Sequence, residues 1–274
     1  MFPVSLTPGC LSRERDLQVI SPGEGGIEIF DIAVVSSSRV LVTEYTNSTV
    51  RLLDSQGGKV VSKLPLSSRP IRVCLLRDGR AAVTLLDQKR IQFIRVDGDT
   101  LSLDESIDVN GDVIGIAVSN NHLILSYNYT GRLEKITMEG RVTHQLHKHT
   151  AGRELFKYPE FITSSHDGNI FITDHGTNTI SQLDQNLQVV QTFTSPMLKF
   201  PVGIVTVSNT QLLVAGNDSH NILMLDTTTG SMTSLLGQTE GIQLPYALGW
   251  CPVSRKLYVG FSGGKTTINV YSSK

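Results

Sequence analysis

Cysteine is scarce: the 274-residue chain has three, Cys10, Cys74 and Cys251, with no CxxC pair among them. So odd and sparse a set excludes a disulfide framework and points to a reducing compartment. Charge of one sign is missing as well, since 24 Lys and Arg face 25 Asp and Glu for a formal net charge of -1. No global field would draw such a chain onto nucleic acid or an anionic membrane. Nowhere do 18 apolar residues run together, so no transmembrane helix is expected. The opening MFPVSLTPGCLSRERDLQVI has neither a basic n-region nor an apolar h-region and does not read as a signal peptide. These absences together predict a cytoplasmic location.

Low-complexity tracts, charge runs and heptads are also absent, and no helical i, i+3, i+4 stripe of useful length occurs. What is there is a repeat. Three mostly apolar residues followed by a small one recur six times, ending at Thr43, Thr84, Ser126, Thr173, Ala215 and Gly260. An apolar residue follows seven or eight positions later: Val50, Ile91, Leu133, Ile180, Ile222 and Ile268. Upstream lies another, Ile32, Val73, Ile116, Ile162, Ile204 or Leu248, and in four copies a proline stands three residues before it (Pro70, Pro159, Pro201 and Pro245). Proline is tolerated at the first residue of a strand.

Short β-prone runs separated by Asp-Gly and Asn-containing turns make each unit four strands of roughly 40 residues, the signature of a propeller blade. The fold predicted is therefore all-β, a six-bladed β-propeller of four-stranded antiparallel blades. The last copy provides only three strands. Residues 16–20 are expected to supply the fourth by pairing with residues 267–271, closing the ring. Residues 1–12 read as an N-terminal tail and 13–274 as the propeller.

Two segments, FKYPEFITSSHDGNIFITDHGTNTISQLDQNLQVV and KFPVGIVTVSNTQLLVAGNDSHNILMLD, resemble NHL repeats. The closing EGIQLPYALGWCPVSRKLYVGFSGGKTTINVY resembles the last blade of tripartite-motif (TRIM-type) proteins that end in an NHL propeller. The resemblance implies a non-catalytic platform for a protein partner, of the kind that selects substrates in the ubiquitin pathway, with RNA as the alternative ligand. It implies no cofactor, no membrane and no small-molecule substrate. The Cys/His pattern of a RING or B-box is absent, so ligase activity is not expected of these residues.

Some chemical motifs read as false leads. Gly260-Phe261-Ser262-Gly263-Gly264 matches the nucleophile elbow, but falls between antiparallel strands instead of on a strand-to-helix turn. His144, His147 and His149 fit no metal-ligand spacing and read as a solvated loop. Asp31 and Glu160 are isolated carboxylates on separate inner strands, too few for a propeller hydrolase or lyase site. Asn47, Asn128 and Asn217 begin glycosylation sequons that turn formation explains. Cys74 and Cys251 read as core residues.

Loops joining successive blades should share a face with loops between second and third strands, and binding is expected there. That places Tyr45, Lys89, Tyr127, Tyr129, His175, His220 and Phe261 on one face with Arg69, Lys199 and Phe200. The longest inter-blade connection, 145–158, adds Lys148, Arg153 and Lys157. An aromatic hot spot near Tyr45, Tyr127, Tyr129 or Phe261 would suit a protein partner. A basic arc beside exposed tyrosines would suit single-stranded RNA.

Overall fold

A computed structural model describes residues 6–20, 24–147, 149–150 and 153–273. The strands form six four-stranded antiparallel sheets, five of them built in chain order from an inner strand outwards and the sixth completed at its outer edge by the N-terminal strand Leu11–Gln18, plus a separate two-stranded pairing of residues 149–150 with 153–154. The inner strands are Ile29–Val34, Pro70–Leu75, Gly115–Ser119, Pro159–Ser164, Pro201–Thr206 and Pro245–Cys251. Blades are numbered 1 to 6 from these strands. The chain is a six-bladed β-propeller.

The apolar triplets of the repeat lie on the second strands, buried on both faces as their unbroken apolar character requires. Each packs between neighbouring blades; Ala82, Ile91 and Phe93 of blade 2, for example, share one core with Leu123, Leu125 and Ile136 of blade 3. Outer strands are wetter, as in Thr100–Asp108, where only Leu101 is buried.

The small residue that ends each triplet has a specific task in three blades. Thr43 Oγ1 donates to the Ile71 carbonyl at 3.0 Å, Thr84 Oγ1 to that of Ile114 at 3.0 Å, and Ser126 Oγ to that of Glu160 at 3.1 Å. Each hydroxyl fastens its blade to the start of the next inner strand. In blade 5 the seam is closed by contact: a Cβ on Gly203 would come within 2.5 Å of the Tyr246 carbonyl, so only glycine fits.

Ring closure follows the expected pairing. Leu11–Gln18 is antiparallel to Thr267–Ser273, with Leu17 opposite Ile268 and Gln18 opposite Thr267. The strand starts at Leu11, inside the stretch read as a tail, and Leu6 before it is also buried.

Five inner strands carry a register shift near their start, between Ile29/Asp31, Pro70/Val73, Pro159/Ile162, Pro201/Ile204 and Pro245/Leu248. A bulge re-aims side chains. Here the bulged stretches contain Phe30, Arg72, Glu160, Phe161 and Tyr246, which meet around the channel axis.

Candidate functional site

The face where the inner strands begin, called the front face, carries the loop pairs expected of it. Backbone bonds join Leu86 to Arg69, Asn217 to Phe200 and Ser262 to Leu244, tying each loop after a second strand to the neighbouring inter-blade loop.

At the channel mouth the Arg72 guanidinium is buried. It is ion-paired with Glu160, bonded to the Tyr246 hydroxyl at 3.0 Å and to the Phe30 carbonyl at 2.6 Å, and stacked 3.5 Å from the centre of the Phe161 ring. Glu160 also accepts from Tyr246 Oη at 2.8 Å, and His175 Nδ1 lies 3.0 Å from its second oxygen. Burial pushes the Glu160 carboxyl upward, but contacts with His175, Arg72 and Tyr246 more than reverse this and hold it below its usual value. Asp31 differs. Burial raises it to about 6 despite the nearby Arg72 charge and bonds from the Val73 and Ile32 amides, each 2.9 Å. The two carboxylates that looked unrelated in sequence therefore flank one buried arginine, which corrects the reading of isolated groups.

Two aromatic stacks rise from this plug. Tyr45 lies on Phe30 at 4.5 Å between centroids, with the Arg69 guanidinium 4.8 Å above Tyr45. His175 is held between Tyr158 at 5.3 Å and Phe200 at 4.4 Å. Tyr158 is exposed, while His175 and Phe200 are half-buried. Leu244, also exposed, donates its N–H to His220 Nδ1 at 3.1 Å.

The thirteen residues singled out in sequence divide unevenly. Tyr45, Arg69, His175, Phe200 and His220 belong to the front-face arrangement just described. Lys89, Lys157 and Lys199 are exposed, and Tyr129 is 75% exposed on its own turn. Tyr127 and Phe261 are corrections: both are buried as the last residues of second strands. The Tyr127 hydroxyl donates to Glu134 Oε2 at 2.6 Å, and the Phe261 ring packs inside with Lys265 Nζ 4.2 Å from its centre. Neither can serve as an open hot spot. Lys148 and the side chain of Arg153 lie outside the described residues, as does the side chain of His149. His144 is on the outer strand Val142–Leu146, not in the loop expected of it.

Two arginines near this face are engaged, while Lys89, Lys157 and Lys199 stand exposed. Arg69 is ion-paired with Asp87, and Arg132 lies over the Tyr127 ring at 3.9 Å with its Nε 3.3 Å from Glu134. Asn217 is buried, its amide donating to the Pro245 carbonyl at 3.0 Å, so that sequon is closed to modification. Burial of its thiol pushes Cys74 up to about 12.

Sequence reasoning missed Arg72, Phe30, Tyr158 and Tyr246. Arg72 did leave a signal, a lone charge inside the apolar inner strand Pro70–Leu75.

No protein-family model matches the chain, and no curated protein matches it by sequence. Solved structures do resemble it. A streptogramin B lyase superposes with a TM-score of 0.71 at 14% identity, over 96% of this chain and 98% of that one. A catalytically inactive His-to-Ala variant of virginiamycin B lyase from Staphylococcus aureus, solved with quinupristin, gives 0.67 at 18% over 96% and 88%. The WD40 β-propeller domain of Doa1 gives 0.65 at 13% over 97% and 98%. These identities show the fold alone, and the fold occurs in lyases and in a WD40 domain alike.

Proposed function

We propose that this propeller is a non-catalytic scaffold that binds a protein partner across its front face, as a substrate-recognition module of the TRIM-NHL type. The observation that carries the reading is the Tyr158–His175–Phe200 stack, a partly exposed aromatic ridge beside a rigid, plugged channel mouth. Aromatic side chains on a fixed scaffold are the usual anchors of protein interfaces.

RNA is the weaker reading because Arg69 and Arg132 are engaged by Asp87 and Glu134, leaving exposed lysines such as Lys89, Lys157 and Lys199 on separate loops to meet phosphates. A metal-dependent lyase or hydrolase is weaker still. The Glu160 carboxylate is occupied by Arg72, Tyr246 and His175 of the chain itself, which supports a structural part for it.

Selection of a displayed peptide library on the immobilised chain tests this. Peptides should be enriched by the wild type and lost with Phe200→Ala and Tyr158→Ala, with little dependence on salt. Failure to enrich any peptide, together with tight poly(U) binding that falls steeply with salt, would replace the protein reading with the RNA one.

A further inference from the structure

On the back face of the ring, opposite the aromatic ridge, each inner strand turns into the second strand of its blade. In blades 2, 3 and 4 these turns, residues 76–79, 120–121 and 165–169, converge on a cavity of about 390 Å³. The turn of blade 3 is a tight one, with Asn120 and Asn121 both left-handed at φ 48° and 59°. Two bonds fix it against blade 4: Ser164 Oγ donates to the Val118 carbonyl at 2.7 Å, and Ser119 Oγ to that of Gly168 at 3.4 Å. The wall is thus formed before any ligand arrives.

The lining has two halves. Leu75, Leu76, Val118 and Met138, all half-buried, make an apolar side. Arg77, Asn120, Asn121 and His166 make a polar one and are exposed, so a solute can reach them. Among the described residues, none of these four side chains has a hydrogen-bond or ion-pair partner. The carboxylates around them are engaged. Asp78 and Glu105 are ion-paired with Arg80 at 3.0 and 3.2 Å, and Asp167 accepts from Ser165 Oγ and, at 3.1 Å, from Asn169 Nδ2. What remains open to solvent beside the apolar wall is a permanent cation, Arg77, with two amides.

We propose that this back-face cavity binds a small amphipathic organic anion, its charged head at Arg77 and its apolar body against Leu75, Leu76, Val118 and Met138. A guanidinium forms its strongest hydrogen bonds with anions, and the asparagine amides add N–H donors to the same head. An amine of the same shape would meet like charge at Arg77. A neutral alcohol would forgo the charge-assisted bond, and an anion without a body would leave the apolar side wet. The site and the front-face reading are independent, since no residue is common to the two.

Met138 gives the test its reporter, because Met197, Met224 and Met232 lie outside the cavity wall. Hexanoate is titrated into protein carrying ¹³C-labelled methionine methyls, with hexylamine, 1-hexanol and acetate as comparisons. Hexanoate should shift the Met138 signal saturably and leave the other three in place. The comparisons should bind about tenfold or more weakly, the factor expected for loss of one charge-assisted hydrogen bond. Arg77→Gln, a change in an exposed turn, should bring hexanoate down to the level of hexanol, with unmoved Met197, Met224 and Met232 signals reporting an intact fold. If that variant does not fold, the wild-type comparison with hexylamine and acetate decides. A shift that never saturates, equal binding of hexylamine or of acetate, or unchanged hexanoate affinity in folded Arg77→Gln would overturn the proposal.

Discussion

Glu160 and Tyr246 meet across the channel at 2.8 Å, and Arg72 bonds to both. The three residues come from blades 4, 6 and 2, so one buried contact set ties together alternate blades of the ring. Such a tie holds the front-face aromatics on a common base, because Phe30, Phe161 and His175 all pack against its members.

Removing the arginine alone should be severe. Arg72→Ala leaves the Glu160 carboxylate buried without its cation, and loss of one partner of such a pair costs about 3–5 kcal/mol. Arg72→Met combined with Glu160→Gln should recover much of that loss. Urea unfolding of Arg72→Ala and of the double variant measures it, and equal destabilisation by the two would contradict the assignment.

Asp31 makes a pH-dependent contribution whose sign is fixed. Its value in the folded chain lies above the ordinary 3.8, at about 6, so between those values the folded state keeps a proton that the unfolded chain has released. Stability therefore falls as pH rises from about 4 to about 6, by an amount of the order of 2–3 kcal/mol. Glu160, held low, acts in the opposite sense at more acidic pH. The difference between wild type and Asp31→Asn in unfolding free energy across pH 4–7 isolates the Asp31 component, and a flat difference would refute it.

Thr84 accepts the Arg72 amide at 3.0 Å and donates to the Ile114 carbonyl at 3.0 Å, joining blades 2 and 3. Thr84→Val keeps the shape but leaves two buried backbone groups unpaired, a loss of about 2 kcal/mol or more. Thr84→Ser should be much milder. Thermal unfolding of the pair distinguishes hydrogen bonding from packing as the hydroxyl's contribution.

Ring closure depends on a short strand with one fully buried anchor, Leu17. Leu17→Ala should destabilise by about 2–5 kcal/mol, as for other buried leucines. Hydrogen exchange should show the loss first in amides of Thr267–Ser273. Protection unchanged in that strand would mean that closure does not rest on this residue.

The blades were legible because each burial requirement repeats: a second strand enclosed on both sides must be apolar six times over. The channel tie was not, since Arg72 and Glu160 are 88 residues apart and converge only when the ring closes. Tyr127 and Phe261 were misjudged by one position. Residues immediately after the repeated small one, Glu44, Leu85, Tyr127, Asp174 and Phe261, are all buried, and the open positions begin one residue later with Tyr45 and His175.

Leu11 lies opposite Ser273, so the first and last paired residues of the polypeptide sit side by side at the rim of the disc. Tension applied between the two ends would load that strand pair at its tip and peel it one bond at a time, the geometry in which β-strands resist force least. The molecule should accordingly give way at its clasp while the remaining five sectors are still folded. A short peptide bridge joining the ends would remove that weakness and allow the chain to be reopened at another sector boundary.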